Sequence, residues 1–315
     1  MATSGNYTLA LSVNDAAAEA FDILQIAADG ESLDGDMIAR FKRSGNLLLK
    51  EWQSQGMHLW TETEGSLFLK VGQEKYDFRQ STTRVTNEYF ETTTTADTAA
   101  GVYTFSVTSA DDIERNDVIG IVQNDNDLFW TTVTFINGAT VTVKDAIPLA
   151  TNSGAFVRNY RDTFIPVSRV TDIRRKEGED YEIQIVNASR EEYFALPNKD
   201  QTGTPIQAYY DRQDVAGEKY GVMYFWNSPI SSVPVINFTY ERKMQVMTQG
   251  EETLDVPEYA QEAFIYNVAV KLIPKYGASP ERTALIMSEA QRLKNDMLSF
   301  DTDSHPIKIG MPRYG

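Results

Sequence analysis

The segment that decides the fold class is Thr132–Val143, which reads TVTFINGATVTV. Thr alternates with larger apolar residues on either side of Asn137 and Gly138. Alternation with a period of two is typical of a strand with one buried face, and Asn-Gly between two such runs is a strong signal for a two-residue hairpin turn. Residues 132–143 therefore predict an antiparallel β-hairpin.

The Thr- and Val-rich composition of this hairpin extends over the surrounding residues, from 83 to 160. Helical periodicity is absent there, and short apolar runs are separated by turns that contain Asn, Asp and Gly. The predicted strands are Val102–Val107, Asp117–Gln123, Leu128–Ile136, Thr140–Val143 and Ala155–Asn159. Strands with this spacing are typical of a small barrel or sandwich, so we predict an all-β insertion domain over residues 83–160.

Two helices are predicted before this insertion, within residues 1–82. Ser12 or Asn14 caps the first, which carries one apolar stripe and is expected to end at Asp29-Gly30. The second is expected from about Ser32 to Gln55, with Gly56 as its C-cap. Two short strands follow, at Ser66–Val71 and Lys75–Phe78.

Residues 161–299 combine strands with helices. Ser189 is the N-cap of a predicted short helix, and Pro257 starts a long one that Pro274 ends or kinks and Gly277 terminates. A last helix restarts at Pro280. The predicted strands are Ile165–Arg174, Tyr181–Ile185, Pro205–Tyr210, Gly221–Trp226 and Val233–Glu241.

The helices at the two ends of the chain are predicted to pack together as a four-helix bundle. The fold class is therefore α+β, with a helical bundle built from the N- and C-terminal helices, a mixed β region and an inserted all-β barrel or sandwich module. Its expected parts are two core halves, 1–82 and 161–299, the insertion 83–160, and an extended tail at 300–315 that is rich in Pro and Gly.

The amino-acid composition limits the chemistry of this chain. Its 315 residues include 45 Asp and Glu against 29 Lys and Arg, which gives a net charge of −16. This balance disfavours broad binding to nucleic-acid phosphates, which needs an excess of cations. With no Cys and two His, disulfides, thiolate metal sites and His-based triads are not expected. We also expect no membrane span and no membrane partner, because the chain lacks apolar runs of about 18 residues. No secretory signal is expected either.

Glu62 and Glu64 are the candidate catalytic residues of an alternative hypothesis, a glycosidase. Two carboxylates can divide the roles of acid and base, and alternate residues of a strand share a face. Carboxylate pairs without a cleft are common in acidic chains, however, and His58 is more simply a packed or solvated loop residue. The interpretation that we favour has no enzymatic activity, no catalytic residue, no cofactor and no metal site.

Three other polar segments have both a binding and a structural interpretation. Asn124–Asp127 offers oxygen ligands for calcium but lacks the glycine and final Glu of an EF-hand loop, so we predict a hairpin turn. Asp34–Asp36 is predicted to be a turn and helix cap. Two basic groups could contact a phosphate, but a solvated surface with acidic partners is favoured for Arg40, Lys42 and Arg43 and for Arg174–Lys176.

A series of motifs containing aromatic residues, Gly and Pro follows one order along the chain. The first run is Leu47–Trp60, in which Trp52 and Gly56 precede Leu59-Trp60. The later motifs are Glu64–Leu69, Gly72–Tyr76, Tyr193–Lys199, Thr202–Pro205, Ala208–Tyr210, Val222–Pro229, Val256–Ala269 and Leu272–Gly277. In this order they resemble the head-to-tail adaptor, or connector, proteins of short-tailed bacteriophages, whereas residues 83–160 match only as a Thr- and Val-rich β module.

The resemblance implies a virion structural protein at the head–tail interface, or neck, assembled in the host cytoplasm. Such proteins form a ring, generally dodecameric, below the portal; the ring extends the DNA channel, completes the head and docks tail components. The implied partners are the portal protein, further copies of the chain, tail tube, nozzle or fibre proteins, and DNA that passes without sequence-specific binding. The implied portal contacts lie in the tail, at Ile307, Ile309, Met311 and Tyr314.

If the chain belongs to a virion, the glycosidase alternative is a virion-associated cell-wall hydrolase that uses a carboxylate such as Glu62 or Glu64. A different tail or tube interaction protein is the second alternative. Tube proteins are dominated by β-structure, whereas helices are predicted at both ends of this chain. The predicted helices therefore favour an adaptor over a tube protein.

Overall fold

A computed structural model of the chain describes residues 9–26, 33–57, 61–78, 84–161, 166–178, 181–212 and 221–300. It contains helices together with strands in several sheets, which confirms the α+β class. The chain forms two compact units: Met1–Thr61 with Met244–Gly315, and Glu62–Lys243. We call them the helical unit and the β unit.

The described helices are α1 (Val13–Leu24), α2 (Gly35–Ser54), α3 (Arg190–Phe194), α4 (Glu258–Tyr276) and α5 (Pro280–Phe300). The described strands are β1 (Glu62–Phe68), β2 (Lys75–Asp77), β3 (Val85–Thr86), β4 (Phe90–Thr93), β5 (Thr104–Ser106), β6 (Val118–Val122), β7 (Leu128–Asn137), β8 (Thr140–Val143), β9 (Phe156–Tyr160), β10 (Val167–Lys176), β11 (Glu182–Gln184), β12 (Val186–Asn187), β13 (Thr202–Gly203), β14 (Gln207–Asp211), β15 (Val222–Trp226), β16 (Ser228–Pro229) and β17 (Val235–Arg242). All helices except α3 belong to the helical unit.

The helical unit is organised around α4, which contacts α1, α2 and α5. The ring of Phe264 on α4 meets Phe41 and Trp52 of α2 edge-on, with ring centroids 6.3 and 6.0 Å apart. Phe21 of α1 packs in the same way against Tyr276, at 5.2 Å. Helices from both ends of the chain therefore share one apolar core, as predicted from their stripes.

The two ends of α1 confirm one predicted helix signal and contradict another. The capping box at Ser12 is confirmed, because its hydroxyl accepts from Asp15 N–H while the Asp15 carboxylate accepts from Ser12 N–H. The predicted stop at Asp29-Gly30 was wrong: α1 ends at Leu24, where Gln25 is left-handed with φ 54° and its N–H donates to Phe21 and Asp22 carbonyls. Local backbone bonds thus ended the helix before the glycine.

The later helices also differ slightly from their predicted bounds. The second helix begins at Gly35 rather than near residue 32. Pro274 does not end α4, since it lies in the last turn and the helix continues to Tyr276. Gly277 then terminates it with φ 81°, as predicted. In the last turn a proline removes only one main-chain bond, so the helix can absorb it.

The connection from Met244 to Pro257 is tied to α1 and α2. Its carbonyls at Gly250 and Glu252 accept from the N–H groups of Asn14 and Val13. The side chain of Asn46 donates to the Met247 carbonyl and accepts from the Met247 N–H. This segment therefore forms part of the helical unit.

Two sheets of the β unit enclose a common core. One has the strand order β11-β10-β17-β1-β3, and the other has the order β12-β14-β15-β2. Their inner faces share an apolar cluster in which Phe78 stacks on Phe238 at 5.3 Å and Tyr76 meets Phe225 at 5.5 Å. Strand β17 is central, because it pairs with both β1 and β10.

The predicted all-β module is a six-stranded sheet with the order β4-β9-β6-β7-β8-β5. It curls so that its first and last strands meet at an isolated bridge between Thr94 and Val107. The predicted hairpin at residues 132–143 is confirmed: Asn137 pairs with Thr140, and Gly138 has φ 57° in the loop between them. The positive φ explains why glycine is needed at this loop position.

The six-stranded sheet shares contacts with the rest of the β unit. Phe68 of β1 lies 4.8 Å from Trp130 and 5.9 Å from Tyr160, centroid to centroid. Arg158, which is 3% exposed, pairs with Glu91 and donates to the Val233 carbonyl. The two compact units are divided at 61/62 and 243/244. The strands of the six-stranded sheet, β4 to β9, lie within the predicted insertion 83–160.

We expect the Leu48→Ala variant to lose about 2–5 kcal/mol of unfolding free energy, because Leu48 is 3% exposed in the helical core. Leu47 precedes it on the same helix and is 63% exposed, so Leu47→Ala should change the free energy by less than about 0.5 kcal/mol. Chemical denaturation followed by circular dichroism at the helix band measures both. Equal losses in the two variants would contradict this assignment of the core.

Glu252 should make the stability of the helical unit depend on pH. N–H groups of Gln249 and Thr248 and the Thr248 hydroxyl donate to its carboxylate and lower its pKa from 4.5 to about 2. A lowered pKa contributes stability above about pH 4.5 that is lost as the pH falls towards 2. The difference in unfolding free energy between wild type and Glu252→Gln should therefore shrink across this window, and a difference independent of pH would contradict the contact.

Candidate functional site

A groove runs between α1 and α4 on the surface of the helical unit, with a volume of about 720 Å³. From α1 it is lined by residues at helical spacing, Asp15, Ala18, Glu19, Asp22 and Ile23. From α4 it is lined by Glu258, Gln261, Glu262, Ile265 and Tyr266, and Leu9 and Leu11 complete it. We call it the α1–α4 groove. It follows from pairing one face of each helix, since positions i, i+3, i+4 and i+7 share a face.

The floor of the α1–α4 groove is apolar with one exception. Leu11, Ile23, Ile265 and Tyr266 are buried or partly buried against the helical core. Gln261 is 4% exposed, and its amide N–H group donates to the Leu9 carbonyl. Its Oε1 atom has no hydrogen-bond partner among the described residues. An unpaired buried acceptor is costly, so this atom is a locally unfavourable feature beneath the groove floor.

The rim of the groove is acidic. Five carboxylate side chains line it, and no Lys or Arg does so among the described residues. Glu258 accepts from Leu9 N–H and Asp15 belongs to the helix cap, whereas Glu19, Asp22 and Glu262 form no ion pair with a described residue. The groove thus offers apolar surface framed by carboxylates, three of which form no ion pair with a described residue.

Tyr266 reports on this negative field. Burial raises the pKa of its phenol, the charges of Glu262, Glu289 and Glu19 raise it further, and the charge of Arg282 lowers it. Nearby anions disfavour the ionised phenolate, which explains the direction of the second effect. Tyr266 is therefore close to carboxylates of α1, α4 and α5.

The candidate catalytic carboxylates are placed on β1 in the β unit. Glu64 lies beside a separate pocket of about 450 Å³, but its Oε1 accepts from Arg174 at 2.8 Å. Glu62 lies two residues along the strand and opposite Glu241 on β17. Arg174 also pairs with Asp172 at 3.0 Å and with Glu182 at 3.3 Å. The arrangement is that of an ion-pair network across the outer face of a sheet.

The same ion-pair network shows whether the basic segment Arg174–Lys176 is free to contact a phosphate or is bound to acidic partners. Carboxylates surround Arg174, and Arg175 is 8% exposed and bound to Glu177 and the Pro205 carbonyl. Lys176 contacts the Tyr89 hydroxyl at 3.4 Å. The structural interpretation with acidic partners is confirmed for this cluster. In the other cluster, Lys42 donates to the Thr248 carbonyl and Arg40 lies over the Tyr276 ring.

The remaining candidate segments are structural where they are described. Asn124–Asp127 forms the turn between β6 and β7, with Asn126 at φ 62° and Asp127 N–H donating to Asp125 Oδ1. Asp34 is the N-cap residue of α2. In the part of the chain that the structure describes, no three acidic or His side chains are grouped to hold a metal ion. His58 and the tail residues Ile307, Ile309, Met311 and Tyr314 lie outside the described residues.

Sequence reasoning missed the α1–α4 groove. Residues 9–23 and 258–266 are about 240 positions apart along the chain, so only the tertiary structure shows that they lie side by side. The available signal was that both helices carry acidic residues at the edge of an apolar stripe.

No described helix is long and apolar enough to span a membrane.

No protein-family model matches the chain, and no curated protein sequence matches it. Among solved structures, part of the chain is similar to the Gp54 tailspike of Acinetobacter baumannii bacteriophage AP22 in complex with A. baumannii capsular saccharide. The TM-score is 0.22 at 16% sequence identity, and the similarity covers 25% of this chain and 16% of the tailspike chain. The chain thus spans a small part of the tailspike, and a similarity of this extent indicates neither a shared fold nor a shared function.

Neutralising the rim should lower the pKa of Tyr266. In the Glu19→Gln, Glu262→Gln double variant, two of the charges that oppose ionisation of the phenol are removed. NMR titration of ¹³C-labelled tyrosine, with Tyr266→Phe for assignment, measures the midpoint. Asp200→Asn, an exposed change in the β unit, is the control and should leave the midpoint unchanged. An unchanged midpoint in the double variant would contradict the acidic field.

Proposed function

We propose that this chain is a virion structural protein, a head-to-tail adaptor of a short-tailed bacteriophage. Copies of it form a ring below the portal, extend the DNA channel, complete the head and provide a surface on which tail tube, nozzle or fibre proteins dock. The proposed location is the neck of the virion, with assembly in the host cytoplasm.

The observation that carries this proposal is the position of the motifs in the fold. Trp52 is fully buried in the helical core, and Gly56, with φ 85°, follows the end of α2. Pro257 is the N-cap of α4, and Gly277 ends that helix. Residues from three of the nine motifs therefore start, stop and pack a helical unit made from both ends of the chain, and the other six motifs lie in the β unit.

The chemistry of the surfaces supports a role in assembly. Two of the described clefts are an acidic apolar groove in the helical unit and a pocket beside the ion pair of Glu64 with Arg174. We assign the chain no catalytic step, because the carboxylate that would be needed is held by a guanidinium. We therefore favour binding over the hydrolase hypothesis.

The net charge of −16 fits the proposed passage of DNA. Like charges repel across a narrow channel, so an acidic lumen keeps the phosphate backbone from adhering as it moves. DNA is then cargo that slides without sequence-specific contacts. Each subunit contributes different patches to its two neighbours, since head-to-tail contacts of this kind close into rings. In this proposal the helical unit carries the subunit contacts and the curled β sheet faces tail components.

Binding to the portal ring of the same virus tests the proposal. Native mass spectrometry of portal mixed with the full chain should show several copies per portal ring. A variant that ends at Phe300 should lose this binding, because the proposed contacts Ile307, Ile309, Met311 and Tyr314 are then missing. Leu47→Ala, an exposed change on α2, is the matched control and should bind as wild type. Portal binding unchanged by the truncation would refute the assigned contacts, and no binding by the full chain would refute the adaptor.

A further inference from the structure

The residues that follow α5 have a chemistry complementary to the α1–α4 groove. His305–Gly315 reads HPIKIGMPRYG, which includes Lys308 and Arg313 but no Asp or Glu. Ile307, Ile309 and Met311 occur at every second position. In an extended segment, alternate side chains point to the same side, so this spacing would give one apolar edge. We call residues 305–315 the tail segment; it lies outside the described residues.

The tail segment follows a helix that ends level with one end of the groove. The Asn267 side chain of α4 donates to the Ala290 carbonyl of α5, and a short turn at residues 277–279 joins the two helices. From Ala290, α5 continues ten residues to Phe300, which is about 15 Å. From Asn267 back to Glu258 is nine residues of α4, or about 14 Å. The end of α5 is therefore level with Glu258, which lines the groove.

Helix α5 is in contact with both helices that form the groove. It packs against α4, and its Arg282 donates to the Ile23 carbonyl at the far end of α1. The charges of Glu19 on α1 and Glu289 on α5 both act on the phenol of Tyr266, which lines the groove.

We propose that the tail segment docks intramolecularly in the α1–α4 groove of its own chain. The side chains of Ile307, Ile309 and Met311 cover the apolar floor, and the positive charges of Lys308 and Arg313 are attracted to the acidic rim. The linker of four residues, 301–304, spans about 13 Å when extended, and it starts where α5 is level with Glu258 along the α4 axis.

This inference goes beyond the proposed adaptor function. A tail segment held in the groove is withheld from any other partner until that partner displaces it. Docking is a property of the free chain, so it can be tested without a portal, and its failure leaves the portal experiment unaffected.

Disulfide trapping tests the proposal in the full chain, which has no native Cys. Ala18 is exposed and lines the groove, so the pair Ala18→Cys and Ile309→Cys should form a disulfide within one chain under mild oxidation. The pair Ala18→Cys and Met311→Cys serves as a second register. Leu47 is 63% exposed on α2 and does not line the groove, so Leu47→Cys with Ile309→Cys is the matched control. We expect trapping at least about tenfold faster at Ala18 than at Leu47.

Charge reversal separates docking from chance encounters. Adding Glu19→Lys and Glu262→Lys should slow trapping by roughly three- to tenfold, because two attractions become repulsions at an exposed rim. The effect should decrease in about 0.5 M salt, which screens such charges. Asp200→Lys, in the β unit, should have no effect. Equal rates at Ala18 and Leu47, or insensitivity to both reversals, would overturn the proposal. Disulfide-linked dimers in place of monomers would also overturn it, by showing that the groove receives the tail of a second copy.

Discussion

The packing of Phe264 between Phe41 and Trp52 is the contact on which the rest of the structure depends. These rings join a helix that begins at residue 258 to one that begins at residue 35, across a β unit of 182 residues that lies between them in sequence. The buried side of α4 is largely apolar, so α4 is stabilised by packing against α1 and α2. The closure of this core brings α1 beside α4 and thereby creates the α1–α4 groove.

The distribution of charge has a different consequence in each unit. On the β unit, two arginines bind several carboxylates: Arg174 is surrounded by Glu64, Asp172 and Glu182, and Arg158 pairs with Glu91. On the helical unit, the carboxylates at the rim of the groove have no cationic partner in the described part of the chain. Unpaired charge costs little in water and gives specificity when a cationic partner arrives.

The elements set by local chemistry could be predicted from the sequence. The caps at Ser12 and Ser189, the start at Pro280 and the hairpin around Gly138 depend on residues within one or two turns, and all are confirmed. The unit boundary at residues 243 and 244 could not be predicted, because β17 joins the β unit by pairing with β1 and β10, which are distant in sequence. The bridge between Thr94 and Val107 that closes the curled sheet is similarly non-local. The groove was missed for the same reason, since neither α1 nor α4 contains it alone.

Electron microscopy of portal rings with and without this chain tests the central claim most directly. If the chain is a head-to-tail adaptor, negative-stain class averages should show an added ring below the portal, coaxial with its channel and with a closed symmetry. Its copy number should match the subunits that line the lower face of the portal. Portal particles that look identical with and without the chain, while the chain itself stays monomeric, would contradict the account.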